Sequence, residues 1–246
     1  MMRNMLEKVK QNIKIITWIL NHPIKVKNYL GSLYLNEYYL EPVGKEKKLK
    51  IKYILADELF KQMKIKPVVP KLYDLKNTLE WGITTYEMYI LINLLKRRVG
   101  NFLEVGTFEG RTTLNIAKNN KKLDVYTIDL PQNEVYKRGY NYLVGNKFKN
   151  KGLHINQIFE DTQKFNFFNL DKKFGFIFID ASHFYKDVFN DTNNALKILN
   201  KGGIILWHDY SYKMTKQGII DSLLNNKIKG DIYKIEGTSF LIYHKK

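Results

Sequence analysis

The sequence predicts an α/β protein built on a mainly parallel sheet with helices on both faces, and three observations predict it. Short, mostly apolar runs recur from residue 101 onward: "NFLEVG" (101–106), "DVYTID" (124–129), "HINQIFED" (154–161), "FGFIFID" (174–180) and "IILWHD" (204–209). Segments with helical spacing alternate with them. Strands apolar on both faces and separated by helices belong to a parallel sheet buried between two layers. Finally, "IYKIEGTSFLIYH" (232–244) reads as two strands around a Gly-containing turn, with no room for a helix between them. These two can pair only as a hairpin, so one C-terminal strand runs antiparallel in a sheet of seven.

The elements follow in order. Residues 1–20 carry Leu6, Val9, Ile13, Ile16 and Leu20 at helical spacing, with Lys8, Lys10 and Lys14 between them. Pro23 ends that helix. "EPVGKEKKLK" (41–50) and "IKPVVPK" (65–71) are Pro-containing breaks. A boundary near residue 75 makes residues 1–74 a basic helical N-terminal extension and residues 75–246 the main domain. Within that domain helices are expected over 84–98, 111–120, 184–199 and 214–225, and 133–150 is expected to be partly helical. "NKGG" after residue 199 serves as a helix stop.

Composition excludes some classes of function. There is no cysteine, so a disulfide framework and a thiolate metal site are ruled out. That fits a reducing cytoplasm. No run of eighteen apolar residues exists to span a membrane. The patch "IITWIL" is too short for a signal peptide, and no small-residue cleavage site follows it. The chain therefore reads as cytoplasmic, or peripheral to a membrane. Its formal net charge of +17 suits anionic partners such as nucleic acid, anionic lipid or a phosphorylated substrate. Lysine and asparagine are abundant throughout, so a general compositional bias explains the charge as well. Residues 1–30 hold six Lys/Arg against one Glu, with Trp18 on the apolar stripe. Such a helix can lie on an anionic membrane. It can also pack on the main domain or on a second subunit of a homo-oligomer, and packing is the favoured expectation.

Ligands of open α/β sheets bind beyond the carboxyl ends of the strands. Here those ends carry Glu104 and Gly106, Asp129, Glu160 with Asp161, Asp180 with Ser182 and His183, and His208 with Asp209. An acid closes every one of these strands in a strongly basic chain. The first loop, "FLEVGTFEGRTT" (102–113), has glycines spaced G-x-x-x-G, not the G-x-G-x-x-G of a dinucleotide turn. Gly106 and Gly110 allow close approach to a ligand. Glu104, an acceptor when ionised, suits an amine and would repel a pyrophosphate. Asp129 is placed to accept from ribose hydroxyls. An amino-acid tail, a ribose and no phosphate together describe S-adenosylmethionine (SAM).

"LEVGTFEGRTT", "YTIDL" and "FIDASHFYKDVFNDTNNALKILNKGGIILWHDY" resemble class I SAM-dependent methyltransferases, nearest the catechol-type and sugar O-methyltransferases. The resemblance covers residues 80–245 and implies a Rossmann-like sheet. It implies cofactor contacts at Glu104, Gly106, Thr107, Gly110, Asp129 and Asp161. It also implies a metal trio of Asp180, His208 and Asp209, with His183 as the catalytic base. Catalysis is thus expected from His183, Asp180 and His208. A divalent cation on the acceptor hydroxyl would lower its pKa while the base takes the proton. Two carboxylates suit Mg²⁺. An imidazole among the ligands tilts the preference towards Mn²⁺, Fe²⁺ or Zn²⁺. His208 also stands open as a second base, or as the mark of a metal-free enzyme.

The expected activity is methyl transfer from SAM to a hydroxyl of a small molecule, a sugar or glycoconjugate. RNA methylation is an alternative prompted by the charge. It is disfavoured by the lack of an N/D-P-P-Y/F tetrad, a cysteine nucleophile and a separate RNA-binding module. A non-catalytic module docking on a membrane or scaffold is the other alternative. Tyr185, Tyr210 and Tyr212 are expected to line or close the pocket.

Overall fold

The computed structural model describes residues 44–74, 82–97 and 100–246. The helix expected over residues 1–20, Trp18, the membrane or subunit contact of residues 1–30 and the boundary residue 75 lie outside the described residues. Among the described residues eight strands are present: β1 (Lys52–Ile54), β2 (Asn101–Val105), β3 (Val125–Asp129), β4 (Ile155–Phe159), β5 (Phe174–Ile179), β6 (Leu199–Trp207), β7 (Gly230–Ile235) and β8 (Leu241–Lys245). Six α-helices accompany them: α1 (Ala56–Gln62), α2 (Thr85–Leu94), α3 (Arg111–Asn119), α4 (Gln132–Lys137), α5 (Tyr185–Ile198) and α6 (Lys213–Asn225).

The sheet order is β1-β7-β8-β6-β5-β2-β3-β4. β8 runs antiparallel to both β6 and β7, while the remaining pairs are parallel. The mainly parallel sheet with one antiparallel hairpin strand is therefore present. It carries one strand more than the seven expected, because β1 pairs in parallel with β7 through Lys52↔Tyr233 and its neighbours. Beside it, Ala56, Leu59 and Phe60 of α1 are buried in the same core as α2. Sheet and core thus begin on the N-terminal side of residue 75.

The two-residue period of a strand divides the core between the faces. Phe102, Phe176, Phe178, Ile204 and Leu206 pack under α1, α2 and α3. Leu103, Val105, Ile177, Ile179, Ile205 and Trp207 pack under α5 and α6. All six residues of β5 are buried, as expected for a central parallel strand. "NKGG" proves to be strand, not a separate stop. The helix ends at Ile198, and β6 takes up the extra residues as a register shift against β5 between Phe174 and Phe176.

Backbone pairing runs on just past the strands and lines up their ends on one edge. Gly106 N donates to Ile128 O at 2.9 Å, Asp180 N to Val105 O at 2.9 Å, and His208 N to Ile179 O at 3.0 Å. Glu160 N donates to Asp129 O at 2.9 Å. The acids that the sequence scatters over a hundred positions thereby meet on a single rim.

Candidate functional site

A cavity of about 540 Å³ opens on that rim, walled by Gly106, Thr107, Asp129, Asp161, Asp180, His183 and Asp209 among others. Its floor is the loop between β2 and α3. Gly106 has φ +99°, and a Cβ there would lie 2.1 Å from Asp180 O. Gly110 has φ +87°, and a Cβ would lie 2.5 Å from the Phe148 ring. Both glycines are thus required by the protein's own packing: the first lets two strand ends touch, the second admits residues 145–148 over the loop. Phe108, between them, also has positive φ, at 50°. Its backbone N donates to Asp129 Oδ2 at 2.7 Å, and Leu130 N donates to Oδ1 at 2.7 Å. Burial raises the Asp129 pKa, opposed by these backbone donors. The carboxylate still keeps a lone pair free for a ligand hydroxyl.

From sequence, Glu104 is expected against a ligand amine. Its carboxyl instead lies beneath the loop, 1% exposed, and does not wall the cavity. Thr113 and Thr127 hydroxyls donate to its Oε2, the latter at 2.9 Å, and Thr127 also bonds Thr107 Oγ1 at 2.6 Å. Burial drives the Glu104 pKa up to about 8, despite the two hydroxyls. The group is therefore protonated at neutral pH and stiffens the loop from below. Strand alternation accounts for this, since Glu104 shares a face with Phe102 and points under α3. Asp161 does wall the cavity, where its carboxylate meets Arg138 Nη2 at 3.0 Å and accepts from Gln163 N at 3.0 Å.

Beyond the glycine loop lies a cluster of acids and imidazoles. His183 Nε2 is 2.6 Å from Asp209 Oδ2. That bond is the main cause of a His183 pKa raised above 6.5, with burial opposing it. The ligand atoms of Asp180, His183 and Asp209 all lie within 4.8 Å of one another, as a metal ion would require. The expected trio had His208 as third ligand. The structure groups His183 with the aspartates instead and sets His208 behind them. His208 is 8% exposed and is not part of the cavity wall. Its Nδ1 lies 3.1 Å from Asp180 Oδ1 and 3.0 Å from Asp209 Oδ2, and its Nε2 lies 3.5 Å from Glu87 Oε2. Burial opposes its charge, but Asp209, Asp180 and Glu87 outweigh burial and lift its pKa well above 6.5. The ring thus sits among three carboxylates behind the cavity wall.

Glu87 is the partner not anticipated from sequence. Burial pushes its pKa up, but His208 and hydrogen bonds from Ser239 and Thr84 hold it at about 2. Asp209 is likewise held well below the ordinary range against burial, by both histidines. Of these carboxylates Asp180 and Asp209 wall the cavity, which suits a cation. Glu87 has a local signature in "TTYE", where Thr84 and Glu87 form a capping box. Nothing local reveals its second task. None of the three tyrosines expected at the pocket walls the cavity, where Tyr140 and Tyr142 stand instead; Tyr212 sits beside His183 with ring centroids 5.3 Å apart. Tyr210 is fully buried and donates to Glu46 Oε1 at 2.6 Å, and Tyr185 OH donates to Asp221 at 3.2 Å.

A Rossmann-like sheet, a glycine loop that turns at φ +99° and an acid at the end of the next strand define a nucleoside-cofactor fold. Residues 103–210 match the family model described as a methyltransferase domain, and the sheet around them has the fold of solved methyltransferases. Among curated proteins, an uncharacterized protein of Acanthamoeba polyphaga mimivirus is 31% identical over 148 residues, 58% of this chain. The match spans 65% of that relative's length. Among solved structures, the O-methyltransferase TomG from Streptomyces achromogenes, in complex with SAM, has a TM-score of 0.51 at 14% identity. That match covers 87% of this chain and 96% of TomG. The O-methyltransferase NovP has a TM-score of 0.51 at 12% identity, over 62% of this chain and 75% of its own. Both likenesses are of fold. No helix among the described residues is long and apolar enough to cross a membrane.

Proposed function

We propose that the protein transfers the methyl group of SAM to a hydroxyl of a small molecule, a sugar or glycoconjugate. The observation that carries this reading is the His183–Asp209 pair at 2.6 Å, opening on the same cavity as the glycine loop and Asp129. SAM, when bound, supplies a methyl group made electrophilic by its sulfonium. The residues fit it: Asp129 keeps a lone pair for a ribose hydroxyl, and Gly106 gives the cavity a wall of bare backbone, while Gly110 lies off the wall and serves to seat the loop against Phe148.

The chain's own groups then act on the acceptor. With Nε2–H donated to Asp209, His183 presents the lone pair of Nδ1 to an acceptor hydroxyl and takes its proton. Asp209 fixes the ring and stabilises the imidazolium that forms. Asp180 and Asp209 fit a divalent cation such as Mg²⁺ or Mn²⁺, with His208 and Glu87 holding them from behind. Such an ion would lower the pKa of a bound hydroxyl. Phe184, 65% exposed, and Tyr212 flank His183 with flat apolar faces that suit the C–H face of a sugar. Labelled SAM incubated with a panel of sugars, glycosides and phenols tests the reading. Label on a hydroxylated acceptor is expected, and its loss in Asp180→Asn ties transfer to this cluster. Label on RNA but on no small hydroxylated acceptor would refute it.

A further inference from the structure

We propose that Ser239 and Glu87 are positioning residues that lock Asp209 into the conformation in which it serves the cavity. The proposal rests on the reading of Asp209 given above.

Asp209 has φ 54°, in the left-handed region. Aspartate tolerates that region better than most side chains but does not prefer it, so something must hold it there. On the cavity side the His183 ring meets only its carboxylate, and Tyr212 N donates to its carbonyl at 2.9 Å. The hold on its N–H side comes from the turn between β7 and β8. Asp209 N donates to Ser239 Oγ at 3.3 Å, and the next amide, Tyr210 N, donates to Ser239 O at 3.0 Å. One residue thus receives two consecutive amides, which fixes the peptide plane between them and the direction of the Asp209 side chain.

Ser239 is itself fixed by Glu87. Its backbone N donates to Glu87 Oε1 at 2.8 Å, and its hydroxyl donates to the same oxygen at 2.9 Å. With its proton committed to Glu87, Ser239 Oγ turns a lone pair towards Asp209 N. The other Glu87 oxygen accepts from Thr84 N at 2.8 Å, which ties the carboxylate to the start of α2. That same oxygen faces His208 Nε2 at 3.5 Å, and the opposite nitrogen of the ring lies 3.0 Å from Asp209 Oδ2. Glu87 therefore reaches Asp209 by two routes, through Ser239 to its backbone and through His208 to its carboxylate. Neither Glu87 nor Ser239 walls the cavity. A residue that touches no ligand yet controls one that does is a positioning residue, and such outer partners typically change metal affinity or activity about 10- to 100-fold.

The test uses the full chain as wild type, Ser239→Ala, Ser239→Thr and Glu87→Gln. Its readouts are crystal structures, Mn²⁺ binding by electron paramagnetic resonance, SAM binding by calorimetry, and kcat and KM on any acceptor found. In Ser239→Ala, Asp209 is expected to leave the left-handed region, and Mn²⁺ affinity and kcat to fall about 10-fold or more. SAM affinity should stay within twofold, and Ser239→Thr should restore all three values. Glu87→Gln keeps the shape but not the charge and should resemble Ser239→Ala. If Glu87→Gln does not fold, the Ser239 pair decides alone. An Asp209 conformation and Mn²⁺ affinity unchanged in Ser239→Ala would overturn the proposal. A wild-type protein that binds SAM but neither methylates nor binds Mn²⁺ would refute the function proposed above. Even then, the Asp209 backbone in the Ser239→Ala crystal structure would still decide this one.

Discussion

Replacing Gly106 by alanine probes the joint between cofactor loop and acid cluster with a single methyl group. The new Cβ would lie 2.1 Å from Asp180 O, 2.7 Å from Asp180 C and 2.8 Å from Ala181 Cα. All three are backbone atoms, and Asp180 N is anchored to Val105 O at 2.9 Å, so no side chain can swing away. Two costs combine. Holding a non-glycine residue at φ +99° costs about 1–2 kcal/mol. Forcing a methyl into a filled site costs about 1–3 kcal/mol. A total of about 2–5 kcal/mol lowers the melting temperature by about 4–20 °C for a domain of this size. If the segment at residues 180–181 yields instead, the cavity wall moves and SAM affinity falls about tenfold or more, about 1.4 kcal/mol. Gly152→Ala is the control, because Gly152 has φ +63° with nothing within 4 Å of a Cβ and should show the strain alone. Melting curves and SAM calorimetry on both variants provide the assay. A Gly106→Ala protein that melts no lower than Gly152→Ala and binds SAM like wild type would show that this contact does not join the loop to the acid cluster.

Further predictions concern charge. Glu104 has a folded pKa of about 8 against an ordinary 4.5, so its contribution to stability is complete below pH 4.5 and is lost as pH rises through about 8. Glu104→Gln should flatten that alkaline decline in urea midpoints, and an identical decline in both proteins would show that Glu104 is not its source. His183 must be neutral to act as base and its pKa is raised above 6.5 by Asp209, so the acid limb of kcat should lie above pH 6.5. In Asp209→Asn the limb should move down; a limb that does not move would remove His183 as the base. Chelator should cut turnover at least about tenfold and leave the calorimetric SAM affinity intact, with Asp180→Asn behaving alike. Full turnover in chelator would reduce the site to acid–base chemistry at His183.

The parts of the fold legible in the sequence are those written in local periodicity. The unbroken apolar run of β5 marks a central strand, and the missing helix between β7 and β8 forces a hairpin. The rim of acids was legible because strand ends in a parallel sheet share one edge, so position along each strand suffices. β1 was not legible. Three residues with the burial pattern exposed, exposed, buried carry no period, and the pairing partner lies at the other end of the chain. His183 lies in a loop with no period to place it. Alternation runs one residue past Trp207 and sets His208 on the Leu206 face, where its ring meets Phe240 and its Nε2 faces Glu87. What the period does not show is the left-handed turn at Asp209. That turn depends on Ser239 and Glu87, both far away in sequence. Glu104 is a different case. The strand period already set it on the Phe102 face, away from the ligand, and the acid-before-glycine pattern drew attention from that signal.

As a SAM site, the rim cavity would hold the ribose through Asp129. Calorimetric titration of SAM into the full chain and into Asp129→Ala measures that contact. One site per chain is expected in the wild type, with an affinity at least about tenfold weaker in the variant, the loss of one charge-assisted hydrogen bond being worth about 1.5–3 kcal/mol. Absence of binding to the wild type, or equal affinity in the two proteins, would contradict it.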